Sequence, residues 1–356
     1  MLILMLVRTV VVVQAQPEPS TGHDSTYLIA FTLFPDADPF ELDDATQIFL
    51  KFDMRKFIKG KNKGKYQKAL LSIHLPDSKL LEKEIRLRAR GITRKSICHF
   101  PPIKLNFKET EFDNDTLNDI NSLKLVTHCR NSDLYEQYLL KEFLVYRMYN
   151  ILTDSSFRVK LLQANYIDSE EKMKPLTKYG FIIESHNHLA ERLQAVRIDR
   201  EGINTWNTDN YLTSLLFLFQ YFIGNTDWSI PPLHNVKLVK PSQPNSDILA
   251  IPYDFDYSGM VNTVYAVPDE LLGIETVRTR VYRGYCLPSE AHYQRLFRVF
   301  LEKKQDLFSL VEDFEALHKK SRAEMLEYME EFYTIIENPR LAEREIISVC
   351  RPLPGR

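Results

Sequence analysis

Apolar and polar residues alternate along the first third of the chain, and the spacing then changes to that of helices. Tyr27–Phe34, Gln47–Phe52, Lys68–Leu75, Pro101–Phe107 and Leu123–Thr127 read as strands. Glu84–Arg90, E-I-R-L-R-A-R, is an antiparallel strand with its arginines on one face. The run Lys59–Lys65 reads as a basic, solvated loop between strands. Tyr135–Leu152 carries Leu139, Leu140, Phe143, Leu144, Met148 and Ile151 at helical spacing, with Asp133 as its expected N-cap. Strands are expected again at Val159–Tyr166 and Tyr179–Ile183. From His186 onward the pattern is mainly helical, with long helices over Thr208–Ile223, Ser289–Glu312 and Ala316–Ile336. The expected class is α+β: a β-rich part over 27–185 with one inserted helix, then a mainly helical part over 186–356.

A chain of 356 residues, 44% of them hydrophobic, can bury a large core, as one large domain or two lobes. Its net charge of −2 argues against a dedicated nucleic-acid binder. Leu2–Val13 is apolar apart from Arg8 and Thr9, and Val13-Gln14-Ala15 resembles a cleavage site. Residues 1–15 therefore read as an export signal followed by a polar linker, 16–26, and the protein as periplasmic or secreted. The competing reading is a start placed too far upstream of a cytoplasmic protein. No later segment reaches the ~18–20 apolar residues of a membrane span. Cys98, Cys129, Cys286 and Cys350 are scattered without a C-x-x-C pair, so an exported chain has room for one or two disulfides.

The chemistry concentrates between Gly224 and Gly259. Asp227 and Asn235 follow an apolar helix in an irregular loop; a hairpin comes next, then Pro252-Tyr253-Asp254-Phe255-Asp256. Enzymes that transfer phosphoryl groups build their sites in this order, and with the β-rich and helical halves it predicts a bilobal, protein-kinase-like layout. Asp227 is the candidate catalytic residue, orienting an acceptor hydroxyl; the competing reading is a helix-terminating turn. Asn235, Asp254 and Asp256 are candidate ligands for a hard divalent cation. Two carboxylates two apart in an extended segment share a side and repel unless a cation lies between them or one is protonated. Lys104, with Arg88 and Arg90 as alternatives, is the candidate for nucleotide phosphates. Glu142 or Glu136 would hold the strand lysine, and Ile183-Glu184 falls where adenine would be bound. A solvated basic sheet face accounts equally for any one of these cations.

These motifs resemble those of the spore coat protein H (CotH) kinase family, atypical protein kinases of the secretory pathway. The similarity lies in Asn225-Thr226-Asp227-Trp228 with Asn235, in Pro252-Tyr253-Asp254-Phe255-Asp256, and in Arg88-Ala89-Arg90-Gly91 followed by Lys104. The resemblance implies ATP with Mg²⁺ or Mn²⁺, Asp227 as catalytic aspartate, Asp254 as main metal ligand and Lys104 on phosphate; the expected enzyme is a monomer acting on a hydroxyl-bearing acceptor, a protein. The chain departs from that pattern at Ile92-Thr93-Arg94 and at Tyr253. The alternative function is a catalytically silent pseudokinase serving as a surface or coat-assembly binding module.

Overall fold

The computed structural model describes residues 45–74, 80–110 and 121–352; the expected export signal, linker and Tyr27–Phe34 strand lie outside them. Alternation places Ile48, Leu50 and Phe52 of β1 (Thr46–Phe52) inward. Helix α1 (Met54–Gly60) follows, with Asp53 accepting the Lys56 N–H at its start and Met54 and Phe57 buried. The stretch expected as a basic loop is thus the end of α1 and a 3₁₀ turn, Lys61–Lys63. Next come β2 (Gln67–His74), β3 (Leu80–Ala89), the short helix α2 (Thr93–Ile97), β4 (Ile103–Asn106) and β5 (Ser122–Val126). Helix α3 (Asp133–Leu152) precedes β6 (Val159–Asp168) and β7 (Leu176–Ile183), and its N-cap is Ser132 rather than Asp133.

The expected bilobal kinase layout is not what the chain adopts. The seven strands close into a barrel in the order β1-β2-β3-β4-β5-β7-β6. Closure comes from β1 running parallel to β6 from Thr46 opposite Leu162 to Phe52 opposite Asp168. The inward residues of β1, β2 and β3 form one enclosed core with Ile103, Leu105, Leu125, Ala164 and Tyr166. Alternation reveals which face of a strand is buried, but not which distant strand it pairs with; that pairing makes a barrel here.

The remainder is not wholly helical either. After α4 (His186–Arg192) come β8 (Ala195–Ile198), α5 (Asn210–Phe222), β9 (Val236–Pro241) and β10 (Leu249–Pro252), and the three strands form their own sheet. Three longer helices follow, α6 (Glu290–Glu302), α7 (Lys304–Glu312) and α8 (Lys319–Glu337), and then a short one, α9 (Pro339–Ala342). The expected single helix over Ser289–Glu312 is thus divided at Lys303. A second apolar cluster joins α3 and outward residues of β6 and β7 to α5, the β9–β10 hairpin and α6–α8. Helix α3 is buried over most of its length because it lies between the barrel and these elements.

Disulfides join Cys98 to Cys129 and Cys286 to Cys350, as suits an oxidising compartment. Among the described residues, no helix is long and apolar enough to cross a membrane.

Candidate active site

The chain turns away from the end of α5 at Gly224, whose φ of +63° is the left-handed conformation that glycine adopts without penalty. Buried Asn225 then shapes the loop, accepting the Asp227 N–H at its Oδ1 (3.0 Å) and the Trp228 indole N–H at its carbonyl (3.0 Å). Ser229 and His234 exchange backbone hydrogen bonds, folding the intervening residues into a tight loop that returns the chain to Asp227. His234 Nε2 donates to Asp227 Oδ1 at 2.7 Å. Asn235 Nδ2 donates to Asp227 Oδ2 at 2.9 Å and to its carbonyl at 2.8 Å. The carboxylate is therefore fixed in orientation yet remains 37% exposed. The structure thus brings Asp227 and Asn235, distant by eight residues in the chain, into direct contact.

The hairpin brings the second motif beside the first. Tyr253 N–H donates to the Asn235 carbonyl, one residue before Asp254. Gly259 N–H donates to the Gly224 carbonyl and Met260 N–H to that of Ile223, stitching the end of this motif to the end of α5. Asp254 is not extended: its φ is +65°, and its N–H donates to the buried Tyr146 hydroxyl of α3 at 2.7 Å. The turn separates the two aspartates, leaving the Asp254 side chain 40% exposed and that of Asp256 only 7%.

The cation between the carboxylates is an arginine. Arg94 Nε donates to Asp256 Oδ2 at 2.7 Å and Arg94 Nη2 to Glu142 Oε2 at 2.5 Å, with Asp254 Oδ1 at 3.8 Å. Tyr265 adds its hydroxyl to Asp256 Oδ2 at 3.1 Å. One potential ligand atom from each of Glu142, Asp254 and Asp256 lies within 4.8 Å of the others. Burial pushes the Glu142 carboxyl up to about 8 against the pull of Arg94, and the two aspartates add to the rise. Asp256 is raised by burial, again opposed by Arg94. Both reliefs open to neighbouring carboxylates are present: Arg94 supplies a cation from within the chain, and burial favours the protonated form of Glu142 and Asp256.

Of the expected phosphate-binding cations, Arg88 and Lys104 lie opposite each other on β3 and β4, and Lys104 lies opposite Lys124 on β5. Directly opposed residues share a face, so the three form a lateral row of like charges. Neither Lys104 nor Lys124 has a salt-bridge partner among the described residues. Lys124 is pushed down to about 7, first by burial and then by Arg90, while Asp254 opposes the shift. The Tyr253 ring lies 5.0 Å from Lys124 Nζ and 5.7 Å from Lys237 Nζ.

Other expected contacts are absent. Neither helix glutamate holds Lys104: Glu142 is taken by Arg94, and Glu136 accepts from Lys178 and from Tyr179 N–H. Ile183 sits opposite Lys124 on β7 with its side chain buried. The Glu184 carboxylate is committed to Arg192 by two 2.9 Å hydrogen bonds and also accepts Arg158 N–H, so it is not available to a ligand. The sequence reading passed over Lys124, Tyr146 and Tyr265, and treated Arg94 only as a departure from a motif. A signal existed for Lys124, a central lysine in the alternating S-L-K-L-V, and for Tyr146, one helical turn after Glu142. No family model matches the chain, and no curated protein matches it in sequence.

Proposed function

We propose that this protein is a phosphotransferase that moves the γ-phosphoryl group of ATP to a hydroxyl group, that of a protein acceptor outside the cytoplasm. The observation that carries the reading is the row Arg88–Lys104–Lys124, whose buried end senses Asp254 beside the Asp227–Asn235 pair. Like charges side by side on adjacent strands are unfavourable alone and suit a polyanion. Polyphosphate along this row would point its transferable end toward the two exposed aspartates. Asp227, held by His234 and Asn235, would orient an acceptor hydroxyl and receive its proton.

The residues present fit a divalent cation such as Mg²⁺ or Mn²⁺. Asp254 keeps an exposed carboxylate, and Asn235, its nitrogen committed to Asp227, keeps Oδ1 as an acceptor; both are hard oxygen donors. The ion would neutralise phosphate charge; orientation and proton acceptance belong to the protein. Asp256 fits less well because Arg94 and Tyr265 already occupy it. The two disulfides support the extracytoplasmic setting.

One observation favours a second reading, a nucleotide-binding module without turnover: Glu142 is paired with Arg94 and not with a strand lysine. Transfer of label from γ-³²P-ATP by the full chain, with Mg²⁺ or Mn²⁺, decides between them. Asp227→Ala and Asp254→Ala are each expected to lower transfer by about 10²–10⁴-fold. ATP binding without transfer would support the binding module, and absence of both would remove both readings.

A further inference from the structure

We propose that Arg94 is a resident counter-cation of the Glu142–Asp254–Asp256 cluster, and that this cluster becomes a divalent-cation site once the guanidinium is removed. Three carboxyl groups surround one guanidinium, so a single positive charge faces more acidic groups than it can pair one to one. The arrangement is also incomplete in hydrogen bonds. Glu142 is 1% exposed, and its Oε1 is buried without a partner among the described residues, although Oε2 receives Arg94 at 2.5 Å. A planar guanidinium donates along fixed directions, whereas a divalent ion gathers oxygen ligands from several sides. One potential ligand atom on each carboxylate already lies within 4.8 Å of the others, close enough to converge on one ion.

The local fold presents Arg94 as a distinct insert. It follows Gly91, whose φ is +88°, on the short helix α2, and Cys98 four residues later is fastened to Cys129. The side chain thus reaches the cluster from a segment between β3 and β4, while the three carboxylates belong to α3 and to the chain after β10. Arg94 and a divalent ion compete for the same oxygens. In the resting protein Arg94 reserves Glu142 and Asp256 and leaves Asp254 as the carboxylate open to a metal. Arg94 is thereby a positioning residue, and this division deepens the phosphotransfer reading without depending on turnover.

The test is a titration of the full chain with Mn²⁺ alone, without nucleotide, following free Mn²⁺ by electron paramagnetic resonance. Arg94→Gln is expected to bind Mn²⁺ at least about tenfold more tightly than the wild type, equivalent to 1.4 kcal/mol. Arg94→Lys, which keeps the charge, is expected to stay within about threefold of the wild type. Adding Asp256→Asn to Arg94→Gln is expected to abolish the gain. Equal affinity in wild type and Arg94→Gln, or a gain that survives loss of Asp256, overturns the proposal. Should Arg94→Gln unfold in metal-free buffer, thermal unfolding provides the same decision. A rise of melting temperature with Mn²⁺ that is larger in the variant than in the wild type supports the proposal, and an equal or smaller rise overturns it. A tenfold gain together with no ATP binding would leave Arg94 as assigned and remove only the phosphotransfer reading.

Discussion

At Lys124, burial and the nearby Arg90 act in the same direction, and together they outweigh the attraction of Asp254. Its ammonium titrates at about 7 in the folded protein, against 10.5 for an ordinary lysine. The sign of the stability change follows from proton counting. Between those two values Lys124 is protonated in the unfolded chain and neutral in the folded one, so its contribution to stability rises with pH across the interval. Below about 7 both states are protonated and the full cost of burying the charge is felt. The raised Glu142 carboxyl acts with the opposite sign up to about pH 8, so the rise belongs above it: urea unfolding at about pH 8, 9 and 9.5 should give rising midpoints, and Lys124→Met should flatten the rise. A wild-type midpoint insensitive to pH would mean that the ammonium stays charged. A different residue-scale constraint acts at Gly224, where a Cβ would sit 2.0 Å from the Tyr328 hydroxyl oxygen and φ is +63°. Gly224→Ala should cost at least about 2 kcal/mol from the left-handed backbone and the clash together. The cost should shrink, without vanishing, in a Tyr328→Phe background, since the ring carbon remains 3.1 Å away. Equal costs in the two backgrounds would show that the hydroxyl is not what the new methyl group meets.

At the scale of elements, strands and helices were legible wherever the apolar period was local. Leu139, Leu140, Phe143 and Leu144 mark α3, and the alternation of Ile85, Leu87 and Ala89 marks β3. The Asp227 loop and the Asp254 turn were also legible, because helix end, hairpin and acidic residues follow one another within a short stretch of chain. Two features were not. The parallel pairing of β1 with β6 joins residues 116 apart, and no local pattern encodes it. Arg94 reaches Glu142 across 48 residues and Asp256 across 162, so its role emerges only when three separate elements converge. The Cys98–Cys129 bond fastens the Arg94 segment to the connection between β5 and α3 across a separation of 31 residues. Replacing both cysteines by serine should lower stability by about 2–4 kcal/mol through the unfolded chain. If the bond also holds Arg94 in place, the double variant should bind Mn²⁺ more tightly than wild type, an effect that lost stability alone does not produce. An unchanged Mn²⁺ affinity would mean that packing alone secures Arg94.

The molecule as a whole is organised around α3. Its residues Phe143, Leu144 and Met148 belong to the same apolar cluster as Phe181 and Ile183 of β7, Phe219 of α5 and Phe332 of α8. It also supplies Glu142 to the acidic cluster and Tyr146 to the Asp254 backbone, so the site is assembled by the packing that joins barrel to helices. The enclosed barrel core is separate, but its outer wall is part of the larger cluster. Removing the helices would expose that wall to water at about 25 cal/mol per Å² of apolar surface. The consequence is thermodynamic: the barrel and the helical part should unfold together. Trp206 and Trp228 both lie beyond the barrel strands, so fluorescence reports on the helical part while far-ultraviolet circular dichroism reports on the whole chain. In urea the two signals should give the same midpoint and slope, as two-state unfolding requires. If ellipticity persisted after the fluorescence change was complete, the barrel would be standing without α3, and the site would rest on docking between two independently stable units. Coincident curves would mean that substitutions in the α3 core, such as Leu144→Ala, loosen the barrel and the acidic cluster together.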